Sequence, residues 1–352
     1  MSSAGPGGGA ADPLRLVVQR LAMRTPLAPA ELTAGFQRIM SGDATPAQVA
    51  AVLIGLRVKG ETGAEVAAVV RALQSVMVSL PADRPDELVD TCGTGGGSVP
   101  TFNISTAAAL LAAGAGVRIA KHGNRSFTTQ CGSADVLEAL GVNIDVPVAV
   151  MERALREAGL VFMFAPIMHP AMRHVGPVRR ELGIPTVMNI VGPLANPARA
   201  GRQVIGVGDA ERAPLLAEAI CELGTRHALV VHGAGMDEIS PLGPTHVREV
   251  RDGRITEWTI EPAALGLGLA TPAELAGGPP PENAHAVLSV LSGKGTPGAT
   301  AAVVLNAAAA LYVGGAAGSF EDGVERAKGA IASGAGLDAL ERLRRAFADP
   351  AQ

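Results

Sequence analysis

"ELVDTCGTGGGSVPTFNIST", Glu87 to Thr106, decides how this chain is read. It opens on a short apolar run and passes four glycines in the five positions Gly93 to Gly97. It then ends on Asn103, Ile104, Ser105 and Thr106, before the alanine-rich stretch Ala107 to Gly116. A strand, a glycine-rich loop and a helix start, in that order, form the unit from which parallel α/β sheets are built. Bare glycines let backbone N–H groups approach an anion, and a helix N-terminus favours negative charge. The loop is therefore a candidate phosphate cradle. The plainer alternative is a tight turn followed by helix-capping hydroxyls.

Outward from this stretch the same unit recurs. "VRIAKHG", "LVFMFAP", "QVIGVGD" and "HALVVHG" are short apolar runs, and helical patterns at residues 104–115, 133–140, 148–157 and 210–223 separate them. The expected fold class is α/β with a central, mostly parallel sheet, whose ligands bind outside the carboxyl ends of the strands. "THVREVRDGRITEWTIEP" alternates like an antiparallel pair turned at Asp252-Gly253, and the C-terminus returns to helices. Before the sheet, residues 13–80 read as four helices with Asp-Pro and Thr-Pro starts and glycine stops. "PADRP", Pro81 to Pro85, is their exit. The organisation expected is a disordered tail over 1–12, a small all-helical N-terminal domain over 13–85, and a larger α/β domain over 86–352 hinged to it.

Composition narrows the function. With 352 residues, 48% apolar and 18% charged, the chain is an ordinary globular protein. A net charge of −4 argues against broad nucleic-acid binding, which needs a basic face. Cys92, Cys131 and Cys221 are too few and too scattered for a disulfide framework or a zinc site. "MSSAGPGGGAAD" has no basic and apolar regions of a signal peptide. Apolar stretches such as Ala107 to Val117 fall short of the ~20 residues of a membrane span. The expected location is cytoplasmic.

Three further segments carry chemistry. "KHGNRSFTTQCGSAD", Lys121 to Asp135, places cations, hydroxyls and amides at a second strand end, as a polyanionic ligand bridging two loops would need. "HGAGMDEIS" sets Asp237 and Glu238 just past a strand, where two carboxylates can hold magnesium. The same dipeptide at Asp86-Glu87 is a linker pair, so position alone separates the two. "HPAMRHVGPVRRELG" puts His169, Arg173, His174, Arg179 and Arg180 on or beside one helix. Arg173 and Arg180 share a face and Arg179 lies about 100° away, so only some of these cations can point at a ligand. One arginine aimed at a substrate carboxylate is the functional reading, and solvated helix residues the alternative.

Taken in order, the four segments resemble the anthranilate phosphoribosyltransferases of tryptophan biosynthesis. GTGG with TFNIST, KHGNRS with GSADVLEALGV, HPAMRHVGPVRRELG with NIVGPLANP, and VHGAGMDEIS carry the likeness, which spans about residues 13–345. The resemblance implies transfer of the phosphoribosyl group of 5-phosphoribosyl 1-diphosphate to the amine of anthranilate, releasing pyrophosphate, the second step from chorismate. It implies a nucleoside phosphorylase/phosphoribosyltransferase type of fold, a homodimer, Mg2+ as two ions, and a segment near 175–200 packed with the helical domain. It leaves association with anthranilate synthase open.

By the same resemblance, Gly93, Gly96, Gly97, Thr101, Asn103, Ile104, Ser105, Thr106, Lys121, His122, Gly123, Asn124, Arg125, Ser126, Phe127, Thr128, Thr129 and Ser133 hold the phosphoribosyl diphosphate. Gly93, His122, Asn124, Pro166, His169, Arg179 and Gly192 surround anthranilate, and Ser105, Asp237 and Glu238 hold the metal. No acid or base is assigned, and Lys121 and magnesium stabilise charge. The family loop reads GTGGDG, whereas here Gly97 and Ser98 close it, so the aspartate is missing. The nearest rival is a pyrimidine nucleoside phosphorylase of the same fold. A non-enzymatic nucleic-acid-binding relative would show added basic patches.

Overall fold

The computed structural model describes residues 12–126, 130–267 and 270–348. The expected tail up to residue 11, and Phe127, Thr128 and Thr129 of the second loop, lie outside the described residues. Asp12 belongs to the fold: its carboxylate accepts the Leu14 N–H at 3.1 Å and caps the first helix.

Four helices open the chain: α1 (Pro13–Ala22), α2 (Pro29–Met40), α3 (Pro46–Lys59) and α4 (Gly63–Gln74). Thr45 and Thr62 cap α3 and α4, each hydroxyl accepting an N–H three residues on at 3.3 Å. Gln48 and Glu65 answer by accepting the threonine N–H groups. The apolar pattern continues to Leu80, but α4 stops at Gln74. Residues 75–80 instead run alongside other chain segments, with Val78 N–H donating to the Met168 carbonyl and Leu80 N–H to Pro197. These tertiary bonds replace the helical ones.

The sheet has seven strands, β1 (Val89–Gly93), β2 (Ile119–Gly123), β3 (Leu160–Phe164), β4 (Arg202–Gly206), β5 (His227–Gly233), β6 (Thr245–Arg251) and β7 (Arg254–Ile260). Their order is β3-β2-β1-β4-β5-β6-β7, parallel except for the last two. The order reverses between β1 and β4, where Gly93 pairs with Gly206. That switch point is where an open α/β sheet binds ligands.

Helices α5 (Ile104–Gly114), α6 (Ser133–Ala139) and α7 (Val148–Ala158) connect the first strands, and α8 (Ala165–Met168) follows β3. The "one helix" expected from His169 onward is two. A 3-10 turn spans Pro170–His174, and α9 (Gly176–Leu182) restarts after Val175. Pro177 cannot donate an N–H and restricts Gly176, so the helical phase is lost and the face-sharing of Arg173 and Arg180 with it. Helix α10 (Ala213–Leu223) precedes β5. After β7 come α11 (Pro272–Leu275), α12 (Pro280–Leu291), α13 (Pro297–Gly314), α14 (Phe320–Ala332) and α15 (Ala335–Phe347).

Two cores flank the sheet. One gathers α5, α7 and α12–α15 on one face. The other runs from α1–α4 through Val175, Val178, Val187 and Ile190 to α10 and the opposite face. The long apolar segment is α13, not residues 107–117. Its 18 residues reach membrane-spanning length and apolarity, yet 78% of it is buried within the protein, as a core helix is.

Candidate active site

The first loop answers why its side chains are missing. Gly93 ends β1 beside Asp237, and a Cβ there would lie 2.3 Å from Asp237 Oδ2. A Cβ on Gly206, its partner in β4, would come closer still to the Asp237 carbonyl. Gly95 has φ 72° and donates its N–H to Asp237 Oδ2 at 2.8 Å. Part of the glycine pattern therefore serves the carboxylate of another loop, besides any phosphate. A Cβ on Gly97 would meet the Gly235 carbonyl at 3.0 Å and Asp237 N at 3.3 Å. A side chain at the family's aspartate position needs the 234–237 loop to give by a few tenths of an ångström.

Glu238 reaches the helix that follows the loop, its Oε1 accepting the Ser105 N–H at 3.2 Å. Burial, with Asp237 adjacent, pushes the Glu238 carboxyl well up, and burial pushes Asp237 up as well. Lys121, buried in the middle of β2, donates to the Thr91 carbonyl and to Ser105 Oγ (3.3 Å). Gly93, Gly95, Ser105, Lys121, Asp237 and Glu238 thus meet at the switch point. Two crowded carboxylates beside a hydroxyl suit a hard divalent cation. Among the described residues no third His, Cys, Asp or Glu completes the group, so substrate oxygens or water would fill its other positions, as magnesium prefers.

The second loop is held differently. Ser133 Oγ and the Ala134 N–H donate to the Asn124 carbonyl at 3.3 and 3.2 Å. Asn124 Oδ1 accepts the Arg125 N–H, and the Arg125 guanidinium binds Asp135 (2.9 Å) and both oxygens of Glu138. Arg125 is thereby tied to α6 rather than aimed across the loop. Asn103 is likewise engaged, accepting from Asn283 and donating to the Cys131 carbonyl. Ile104 is packed in the core, and Thr106 Oγ1 is buried without a partner. Thr101 and Gly96 lie on the loop itself, Gly96 with φ 82° and open space before it. Gly123 leads from β2 into the second loop, where Ser126 N–H donates to Asp135.

His122 and His169 lie against each other, their ring centroids 4.9 Å apart and their planes tilted by 50°. Each ring lies near a backbone carbonyl, His122 near Gly192 and His169 near Ala195. A neutral imidazole has one N–H and one lone pair, and a carbonyl nearby suits the N–H. Both Nε2 atoms are buried and unpartnered. Burial drives His122 down to about 3 and His169 to about 4, so both rings are neutral. Together they offer acceptors to a ligand bearing N–H or O–H groups. Among the described residues, Arg179 is half-buried with no ion partner and is pulled below its usual range by burial. Arg173 leans on His174 and Arg180 is exposed. Pro166 is exposed at the start of α8.

The sequence reading missed Asp90, buried in β1, and Asn196, buried against it and bonded to Ala120 of β2. A carboxylate amid the apolar run "ELVDTCG" was the available signal.

The geometry has counterparts among known proteins. Residues 15–77 match the helical bundle domain of a glycosyl transferase family, and residues 85–337 match its a/b domain. Fold and site therefore define a glycosyl transferase of this two-part type, a pentosyltransferase. The anthranilate phosphoribosyltransferase of Methanocorpusculum labreanum is 47% identical over 326 residues, covering 93% of this chain and 96% of that protein. That of Roseiflexus sp. is 50% identical, covering 87% and 90%. The crystal structure of the Thermus thermophilus enzyme superposes with TM-score 0.89 at 40% identity, covering 94% and 99%. The Saccharomyces cerevisiae enzyme, solved in complex with PRPP and Mg, gives TM-score 0.87 at 28% identity, covering 96% and 98%. The chain belongs to the anthranilate phosphoribosyltransferase family. The nucleoside phosphorylase reading finds no such support.

Proposed function

We propose that this protein joins anthranilate to 5-phosphoribosyl 1-diphosphate, giving N-(5-phosphoribosyl)anthranilate and pyrophosphate in tryptophan biosynthesis. The observation that carries the reading is the meeting of loop N–H groups, Lys121 and the Asp237–Glu238 pair at the sheet's switch point. In this reading the first loop, Asn103 to Thr106 and the second loop hold the diphosphate and phosphoribosyl groups. Ser105, Asp237 and Glu238 hold magnesium, two ions in the full complement. Bound there, magnesium supplies positive charge against the leaving diphosphate.

Lys121 places its ammonium beside the same charge. The ribose C1–O bond breaks with its electron pair leaving on pyrophosphate, the anthranilate amine forms the new C1–N bond, and the nitrogen then gives up one proton, to the departing pyrophosphate or to water. The Nε2 atoms of His122 and His169 accept from the amine, Arg179 meets the carboxylate, and Asn124, Pro166 and Gly192 complete the pocket. Positioning supplies most of the rate. We further infer that residues 13–85 form a domain, with the segment near 175–200, that closes on residues 86–352 about Pro81 to Pro85.

A cytoplasmic homodimer is the assembly proposed. Met23, Val58 and Ile184, on or beside α3 and the two helices packed on it, α1 and α9, are 71%, 67% and 46% exposed, and a partner subunit would cover them. Association with anthranilate synthase is the further partner to test, by co-purification. The function is tested by incubating protein, both substrates and magnesium and quantifying products. Equal amounts of N-(5-phosphoribosyl)anthranilate and pyrophosphate are expected. Pyrophosphate release that does not depend on anthranilate would overturn the reading.

A further inference from the structure

Beneath the histidine pair lies a carboxylate that touches no substrate in the reading above. Asp90 is fully buried in β1. Its Oδ1 accepts the main-chain N–H of His122 at 3.2 Å, and its Oδ2 accepts Asn196 Nδ2 at 2.7 Å. The same Nδ2 donates to the Ala120 carbonyl at 2.9 Å. Asn196 Oδ1 in turn accepts the N–H groups of Ala198 (2.9 Å) and Ala200 (3.4 Å). Asn196 therefore closes its own turn, and Asp90 ties that turn to the middle of the sheet.

Both histidines hang from this arrangement. His122 starts from the N–H that Asp90 holds, and its ring lies near the carbonyl of Gly192, four residues before Asn196. The His169 ring lies 4.9 Å from that of His122 and near the carbonyl of Ala195, the residue next to Asn196. A movement of Gly192 to Asn196 would turn both rings together. A buried carboxylate carries a desolvation cost that an apolar residue in this strand would avoid. Every oxygen it presents is nevertheless spent on this one segment and on Lys121's surroundings.

We propose that Asp90 and Asn196 are positioning residues for the aromatic amine substrate, pinning the Gly192–Asn196 turn so that Nε2 of His122 and of His169 face it. The inference rests on the function proposed above. Asp90→Asn keeps the shape but turns one acceptor into an NH2 facing a donor. The expected result is a KM for anthranilate raised about tenfold or more, with the KM for 5-phosphoribosyl 1-diphosphate within about twofold of the wild type. The paired swap Asp90→Asn with Asn196→Asp restores a donor–acceptor bond between the two positions but gives up the bond to the Ala120 carbonyl, so it recovers part of the loss, with an anthranilate KM at least about threefold below that of the single variant.

Equal rises in both KM values would overturn the proposal, since they would mean that Asp90 acts through Lys121 or the fold at large. Unchanged kinetics, or a swap no better than the single variant, would overturn it too. If Asp90→Asn does not fold, the swap is read alone: a folded enzyme with only the anthranilate KM raised supports the pin, and one with both KM values raised, or neither, contradicts it. Wild-type turnover is measured first. Its absence would strike the proposed function itself, whereas an active wild type with indifferent variants would strike only this inference.

Discussion

Replacing Gly93 with alanine tests the link between the glycine loop and the carboxylate it shelters. The added methyl would sit 2.3 Å from Asp237 Oδ2 and 3.1 Å from its Cγ, where ordinary contact begins at 3.4 Å. The carboxylate must withdraw by about 1 Å. That movement stretches the Gly95 N–H bond from 2.8 Å beyond hydrogen-bonding range. A hydrogen bond to a charged group contributes about 1.5–3 kcal/mol. A 1 Å displacement at a reacting centre costs on the order of 100-fold, about 2.7 kcal/mol. Gly93→Ala is therefore expected to lower kcat/KM about 100-fold and to raise the magnesium concentration needed for half-maximal rate. Initial rates across a magnesium titration measure both. A variant within threefold of the wild type, with an unmoved magnesium curve, would refute the idea that Gly93 makes room for Asp237.

Arg179→Ala should raise the anthranilate KM by 10- to 100-fold, roughly the loss of one charge-assisted pair, and leave the other substrate's KM unchanged; steady-state kinetics with each substrate varied decides. His169 provides a pH test. Its folded value, near 4, lies below the ordinary 6.5, so the unfolded chain binds the proton more readily and stability falls as pH drops below about 6.5. Between about pH 8 and about pH 5.5 the wild type should lose about 1.4 kcal/mol more than His169→Gln, read from urea unfolding; equal losses would show that the ring is not held neutral. Arg344 donates Nε to the Leu140 carbonyl at the end of α6, so Arg344→Ala should cost about 1 kcal/mol in the same assay, with turnover unchanged.

Much of the fold was legible because local signals agreed with it. Asp12, Thr45 and Thr62 announce helix starts, and the short apolar runs, several ending in glycine, became β1 to β5 with their helices between. The hairpin turns at Asp252-Gly253 as its alternation suggested. What failed depended on distant partners. Helix α4 ends early because residues 75–80 find carbonyls at Met168 and Pro197, which no local pattern announces. Periodicity across His169 to Leu182 concealed a break at Val175, just before Gly176-Pro177. The site was visible as loops, but not the reason for its glycines, which lies in Asp237, 142 residues beyond Gly95. Asp90 and Asn196 stand 106 residues apart, and only the fold joins them.

The most direct measurement is anthranilate fluorescence after 5-phosphoribosyl 1-diphosphate is added to the folded protein, with magnesium and then with a chelator. The account predicts a loss of fluorescence that needs all three components and stops on chelation. Persistent fluorescence from a folded protein with magnesium present would contradict it, and would show that Gly97 or the pocket around Arg179 has taken this chain away from the family's reaction.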